Sequence, residues 1–232
     1  MQTIALESLL YMLLPLLIVG YVYYRWIGDA KEVAYASARM VVQLLLIGYA
    51  LSFIFANDSL WLGAFILLFM ISLSSLIALR NFKEKSLKSY ALLFAAIALG
   101  GSFNLAIVMV LVLDMATLYR PEVLIPLAGM IYANAMNAVA LCAERFESEI
   151  LINSYVSARK TSFKASMIPQ INALLAVGLV SLPGMMTGQI LSGVDPLIAV
   201  RYQMVVMAMV LGSAGISTIL FLYWQKPKLQ GK

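Results

Sequence analysis

Long uncharged, mostly apolar stretches recur along the chain and are divided by short charged clusters. A run of roughly 18 or more such residues is long enough to cross a bilayer as a helix. Read in this way, the pattern predicts a first span between Glu7 and Arg25 and a second between Arg39 and Asp58. A third, from Ser59 to Leu79, follows so closely that a tight hairpin at Asn57-Asp58 must join the two. A fourth runs from Ser89 to Leu113 and a fifth from Val123 to Ala143. The sixth falls within the run Ala165 to Val194, and the seventh covers about Tyr202 to Gln225. The expected fold class is therefore all-α: a polytopic membrane protein of about seven transmembrane helices. No repeat of 20 to 50 residues and no low-complexity linker divides it, so residues 1–232 are expected to form a single transmembrane domain.

Charge assigns the sides. The segments 25–39, 80–88 and 144–164 and the C-terminal tail hold 14 of the 16 Lys and Arg, whereas only Arg120 and Arg201 fall on the opposite side. The positive-inside rule then places the N-terminus outside and the C-terminus in the cytoplasm. Met1 to Ser8 has no basic n-region, so the first apolar run reads as a membrane helix rather than a cleavable leader. The outer connections are too short to form a ligand-capturing domain.

Composition narrows the chemistry. Of the 232 residues 63% are hydrophobic and 12% charged, with a mean hydropathy of +0.94, far from the roughly one-quarter charged residues of a soluble domain. The net charge of +5 lies in the segments assigned to the cytoplasm, so it does not point to nucleic acid. With no histidine and one cysteine, Cys142, the chain has no His-based triad or zinc site and no internal disulfide. No carboxylate falls within a span, which argues against proton or sodium coupling and leaves uphill transport to be driven by a partner.

Three places carry candidate function. The first is Glu144 to Lys164, acidic at its start and basic at its end, with the charge order of a helix macrodipole and a semi-apolar face. It reads either as a docking element for a cytoplasmic partner, with Glu147, Tyr155, Arg159, Lys160 and Lys164 as coupling residues, or as helices five and six extended past the membrane into a polar turn. The second is the fifth span, where Met130 leads to Asn134 and Asn137, three residues apart on one helix face. Amides in a bilayer face protein groups, and the bland reading is an interhelical hydrogen bond of about 1 kcal/mol.

The third place is GLVSLPGMMTGQILSGVDPLIAVRYQ, residues 178–203. A Pro183-Gly184 pair frees backbone groups that lipid cannot satisfy, so it is sheltered by protein or lines a cavity. A buried span over Ala173 to Val194 would set the break near the bilayer midplane, where broken helices line substrate paths. A helix entering at Ala165 would set it near the outer surface as a cap. Met185 and Met186, with Met130, Met136, Met204 and Met207, could offer thioethers to a soft metal, although methionine is more often a core filler.

This stretch resembles the signature of the iron-export ABC transporter permease family, the FetB type. ARMVVQLLLIGYALSFIF (38–55) and IPLAGMIYANAMNAVALC (125–142) agree with it, and the likeness extends from about Ala38 to Trp224, most specifically over PGMMTG (183–188). The resemblance implies a homodimeric permease of the bacterial inner membrane that binds a separate cytoplasmic ATPase, whose ATP binding and hydrolysis drive efflux of iron or a related metal. Plant relatives are associated with aluminium tolerance or nucleotide-sugar export. No G-x-x-x-x-G-K-[ST] motif occurs here, so this chain is expected to hold no cofactor and to be no enzyme. It departs from the family pattern in lacking an LGAT-like stretch before Pro169 and in having Ala133 where the family usually has Gly.

The leading expectation is a path lined by the fifth and sixth spans at Met130, Asn134, Asn137, Pro183, Gly184, Met185 and Met186, with an ATPase pushing on 144–164. The rivals are an ATPase-independent channel or scaffold and ABC export of a non-metal solute. An integral membrane enzyme ranks below these, since no acid, base or nucleophile constellation lies in the spans.

Overall fold

The computed structural model describes residues 5–29, 31–57, 59–114 and 120–230. They are helical almost throughout, as the uncharged runs predict. A short helix α1 (Leu6–Leu9) passes through a 3-10 turn into α2 (Leu13–Ile27), and α3 (Lys31–Phe55) and α4 (Leu60–Leu79) follow. Next come α5 (Leu87–Ala106), which runs on into a π-helical segment at Ile107–Val112, and α6 (Pro121–Glu149). The chain closes with α7 (Tyr155–Ala176), α8 (Gly184–Leu191) and α9 (Pro196–Gln230). Two compact units are distinguished, Met1–Asn57 and Asp58–Lys232.

Local chemistry sets many of the boundaries. In the first unit, Gly28 ends α2 in the left-handed conformation, φ 86°, which a residue with a Cβ adopts only at a cost. The Asp29 carboxylate then accepts the Lys31 N–H at 2.8 Å, so the connection is a tight cap and the cationic 25–39 segment is mostly helix rather than loop. In the second unit, Ser86 and Ser154 cap α5 and α7 through their hydroxyls, Pro121 opens α6 where no N–H is needed, and Asp195 accepts the Leu197 N–H at 2.8 Å to start α9.

The second unit has its core where α5, α6 and α9 meet, around Leu93 and Ile97 of α5, Ile131 and Val139 of α6 and Phe221 of α9. Small residues bring the helices close, as they do in membranes where lipid supplies no hydrophobic drive for association. A Cβ on Gly100 would lie 2.7 Å from the backbone nitrogen of Ser217, and one on Gly101 would lie 2.6 Å from the Tyr132 ring. Tyr132, buried on α6, places its hydroxyl 3.0 Å from the Ser102 hydroxyl.

Six helices among the described residues are long and apolar enough to cross a membrane: Glu7–Ile27, Lys31–Phe55, Leu60–Leu79, Leu87–Val112, Pro121–Glu149 and Pro196–Gln225. They coincide with six of the seven expected spans. The remaining one, 165–194, differs in kind: α7 begins ten residues before Ala165, carries Arg159, Lys160 and Lys164, and ends at Ala176. A turn and the separate helix α8 occupy the rest of that run.

Candidate functional site

The expected coupling segment 144–164 is a helical hairpin rather than a loop. α6 and α7 continue past their apolar portions and meet in a five-residue turn at 150–154. The 29 residues of α6 measure about 43 Å at 1.5 Å per residue, longer than a hydrocarbon core of about 30 Å. The Glu147 carboxylate accepts the Lys83 N–H at 3.2 Å, and the Tyr155 hydroxyl donates to the Leu222 carbonyl at 2.7 Å. These two bonds gather the 80–86 connection, the hairpin and the C-terminal part of α9 at one end of the bundle, the end with most of this unit's cations.

The five expected coupling residues separate onto two sides of the hairpin. Tyr155 packs edge-on against Phe146, with ring centroids 6.0 Å apart, and Arg159 lies over the Tyr155 ring at 5.6 Å. With Glu147, these form a brace between α6, α7 and α9. Lys164 lines an open groove of about 770 Å³ between α6 and α7, across from Glu144 and Arg145, and Lys160 stands at the edge between that groove and the cavity beside Tyr155 and Arg159. The turn itself carries Leu151 and Ile152, 73% and 81% exposed. Leu151 belongs to the semi-apolar face expected from the sequence, together with Phe146, Ile150, Tyr155 and Val156; Ile152 does not, and that the two stand exposed at a turn depends on where α6 ends.

Deeper along the same two helices, Asn134 and Gln170 face each other. The Gln170 amide donates to the Asn134 side-chain oxygen at 3.5 Å, and the Asn134 amide donates to the Met130 carbonyl at 2.8 Å. Gln170 is buried although the sequence reading passed over it; its signal was an amide directly after Pro169 in an otherwise apolar segment. Asn137, expected beside Asn134, is exposed and lies off this seam. A 100° turn per residue separates positions three apart by about 60° around the axis, enough here to put one amide against α7 and the other outside it.

The 177–195 region explains its punctuation differently from a kinked span. Gly178 takes φ 82° and its N–H donates to the Ser181 carbonyl at 2.9 Å, closing a turn that leaves Leu179 91% exposed. Pro183 is the N-cap of α8 and Gly184 its first residue, so the pair begins a helix and does not bend one. The Thr187 hydroxyl returns to the Pro183 carbonyl at 3.1 Å. Met185 packs on the main core and Met186 is half-buried beside it. α8 then lies on α9, with Gly193 at φ 91° closing its C-terminus. Met130 and Met136 also pack against the core. Among the described residues no group of three or more His, Cys, Asp or Glu is placed to hold a metal ion.

Six helices of membrane-spanning length and apolarity among the described residues define the class: a multi-pass helical membrane protein. Residues 5–156 and 151–229 match the sequence profile of the Uncharacterised protein family (UPF0014), and the chain belongs to that family. It is 34% identical over 209 residues to the Escherichia coli (strain K12) protein named "Probable iron export permease protein FetB", covering 83% of this chain and 79% of that one. It is 35% identical over 222 residues to "UPF0014 membrane protein YjkA" of Bacillus subtilis, covering 87% and 86%. To "Protein ALUMINUM SENSITIVE 3" of Arabidopsis thaliana it is 28% identical over 208 residues, covering 83% and 75%. No solved structure matches the chain. The six apolar helices and the bacterial relatives place it as a multi-pass protein of the bacterial inner membrane.

Proposed function

We propose that this chain is the membrane subunit of an ABC transporter that exports iron or a related metal as a homodimer. A separate cytoplasmic ATPase binds and hydrolyses ATP and pushes on the α6–α7 hairpin. The whole of 1–232 serves as one transmembrane domain, with the N-terminus outside, the hairpin and C-terminus in the cytoplasm, and α7, the 177–183 turn and α8 together returning the chain across the bilayer. The path runs along α6 and the α7–α8 break, past Met130, Asn134, Gln170 and the Pro183–Met186 segment, with Asn137 contributed from the outer face of α6.

Similarity to a relative named for iron export supports the solute class. The observation that carries ATPase docking is the exposed Leu151-Ile152 pair, held on a braced turn at the cation-rich end of the bundle. Apolar side chains raised beyond the lipid, rimmed by charge, are what a cytoplasmic partner's cleft would cover. The test is co-purification of the nucleotide-binding subunit with the full-length permease. Leu151→Glu/Ile152→Glu should abolish the complex while leaving the permease folded and membrane-inserted, and undiminished capture by that variant would sink the docking assignment. Replacing Ser154 to Lys164 with a flexible linker should abolish it as well.

A further inference from the structure

The groove between α6 and α7 has two zones of different chemistry. Near the hairpin turn its walls carry Lys160 and Lys164 from α7 and Arg145 from α6, together with the hydroxyls of Ser148, Ser157 and Thr161. Toward the bundle's interior its floor becomes Leu141, Ala165 and Ile168. The cations cluster toward the turn, beyond the apolar part of α6, and the apolar floor lies behind them. Arg145 is held by Glu149 at 2.6 Å, whereas neither Lys160 nor Lys164 forms an ion pair among the described residues. Glu144 on the opposite wall offsets only part of their charge.

We propose that this groove is a binding site for an anionic phospholipid, with the phosphodiester between Lys160 and Lys164 and one acyl chain along Leu141, Ala165 and Ile168. Charge complementarity and the ordering of the two zones select this occupant: a soluble anion has no use for the apolar floor, and a zwitterionic lipid brings its own cation to a groove already positive. Basic clefts between membrane helices at the cytoplasmic face are suited to anionic headgroups on the same physical grounds. The assignment rests on the membrane embedding alone, and the apolar turn at Leu151-Ile152 lies outside it. Loss of ATPase docking therefore leaves it standing.

The test is native mass spectrometry of the full-length chain in mixed micelles of phosphatidylglycerol and phosphatidylcholine. The wild type should retain phosphatidylglycerol in preference to phosphatidylcholine. With each surface cation contributing a factor of about five, Lys160→Gln/Lys164→Gln should weaken that retention by roughly 25-fold, and Lys160→Arg/Lys164→Arg should keep it. Both lysines are exposed, so the neutral variant should retain the wild-type unfolding temperature. Ala165→Phe, which blocks the floor and leaves the charges in place, should also lose the lipid. Equal retention of both lipids by the wild type, or full retention by the neutral variant, would overturn the assignment. Displacement of phosphatidylglycerol by inorganic phosphate at the same concentration would reduce the site to one for phosphate. A Ser157→Cys chain that crosslinks efficiently to another copy would show the groove to be filled by protein, again against the proposal.

Discussion

At the level of single residues, Gly100 and Gly101 leave no room for a Cβ, and nothing in the unbroken apolar run around them marks them out. Their role appears only when α5 meets α9 and α6. Gly100→Ala drives a methyl into the Ser217 backbone, which cannot rotate aside, so a loss of about 1–3 kcal/mol is expected in thermal or denaturant unfolding of the detergent-solubilised chain. Wild-type stability in that variant would show that the helices are not this close. The amide pair was half legible: Asn134 is visible in sequence, but that Gln170 and not Asn137 accompanies it depends on the helix–helix register. A double-mutant cycle of Asn134→Ala with Gln170→Ala should give a coupling near 0.6 kcal/mol, typical of interhelical hydrogen bonds in membranes. Zero coupling in stability would mean that the 3.5 Å contact contributes nothing to the fold.

For whole elements, uncharged length located six helices, with ends up to eight residues away where charged turns continue a helix, as at Lys31, since crossing a bilayer demands length and apolarity whatever the packing. It failed at 165–194, where lack of charge concealed two helices and a turn. Gly178, Pro183 and Gly193 mark those boundaries, and only backbone geometry shows that they end one helix and begin another. In α8, Met185 already has core neighbours, and Met185→Leu/Met186→Leu conserves volume. Cellular metal accumulation should therefore match the wild type; accumulation as high as in cells lacking the protein, with the variant stably inserted, would restore a thioether ligand role. The hairpin brace makes a separate expectation. Tyr155→Phe keeps the ring stack on Phe146 and removes only the donor to Leu222, so it should cost about 1 kcal/mol in unfolding, whereas Tyr155→Ala should cost distinctly more. Equal losses from the two would assign no weight to the ring packing.

On the scale of the whole molecule, the charge pattern and the contacts of the second unit converge. The 80–86 connection, the α6–α7 hairpin and the C-terminal part of α9 share one end of the bundle, and that end carries the cations expected to face the cytoplasm. With no histidine and one cysteine, composition excludes metal clusters of those residues, but it says nothing of Leu151 and Ile152, ordinary residues made unusual by where they stand. Under the proposed function, solute moves through this chain only with an ATPase seated on that turn. Iron flux into inside-out proteoliposomes tests it most directly, with ATP supplied outside and the permease present alone, with its co-purified ATPase, or as Leu151→Glu/Ile152→Glu with the same ATPase. ATP-dependent uptake is expected only for the wild-type pair; uptake by the permease alone, or unchanged uptake with the altered turn, would rule the proposed function out.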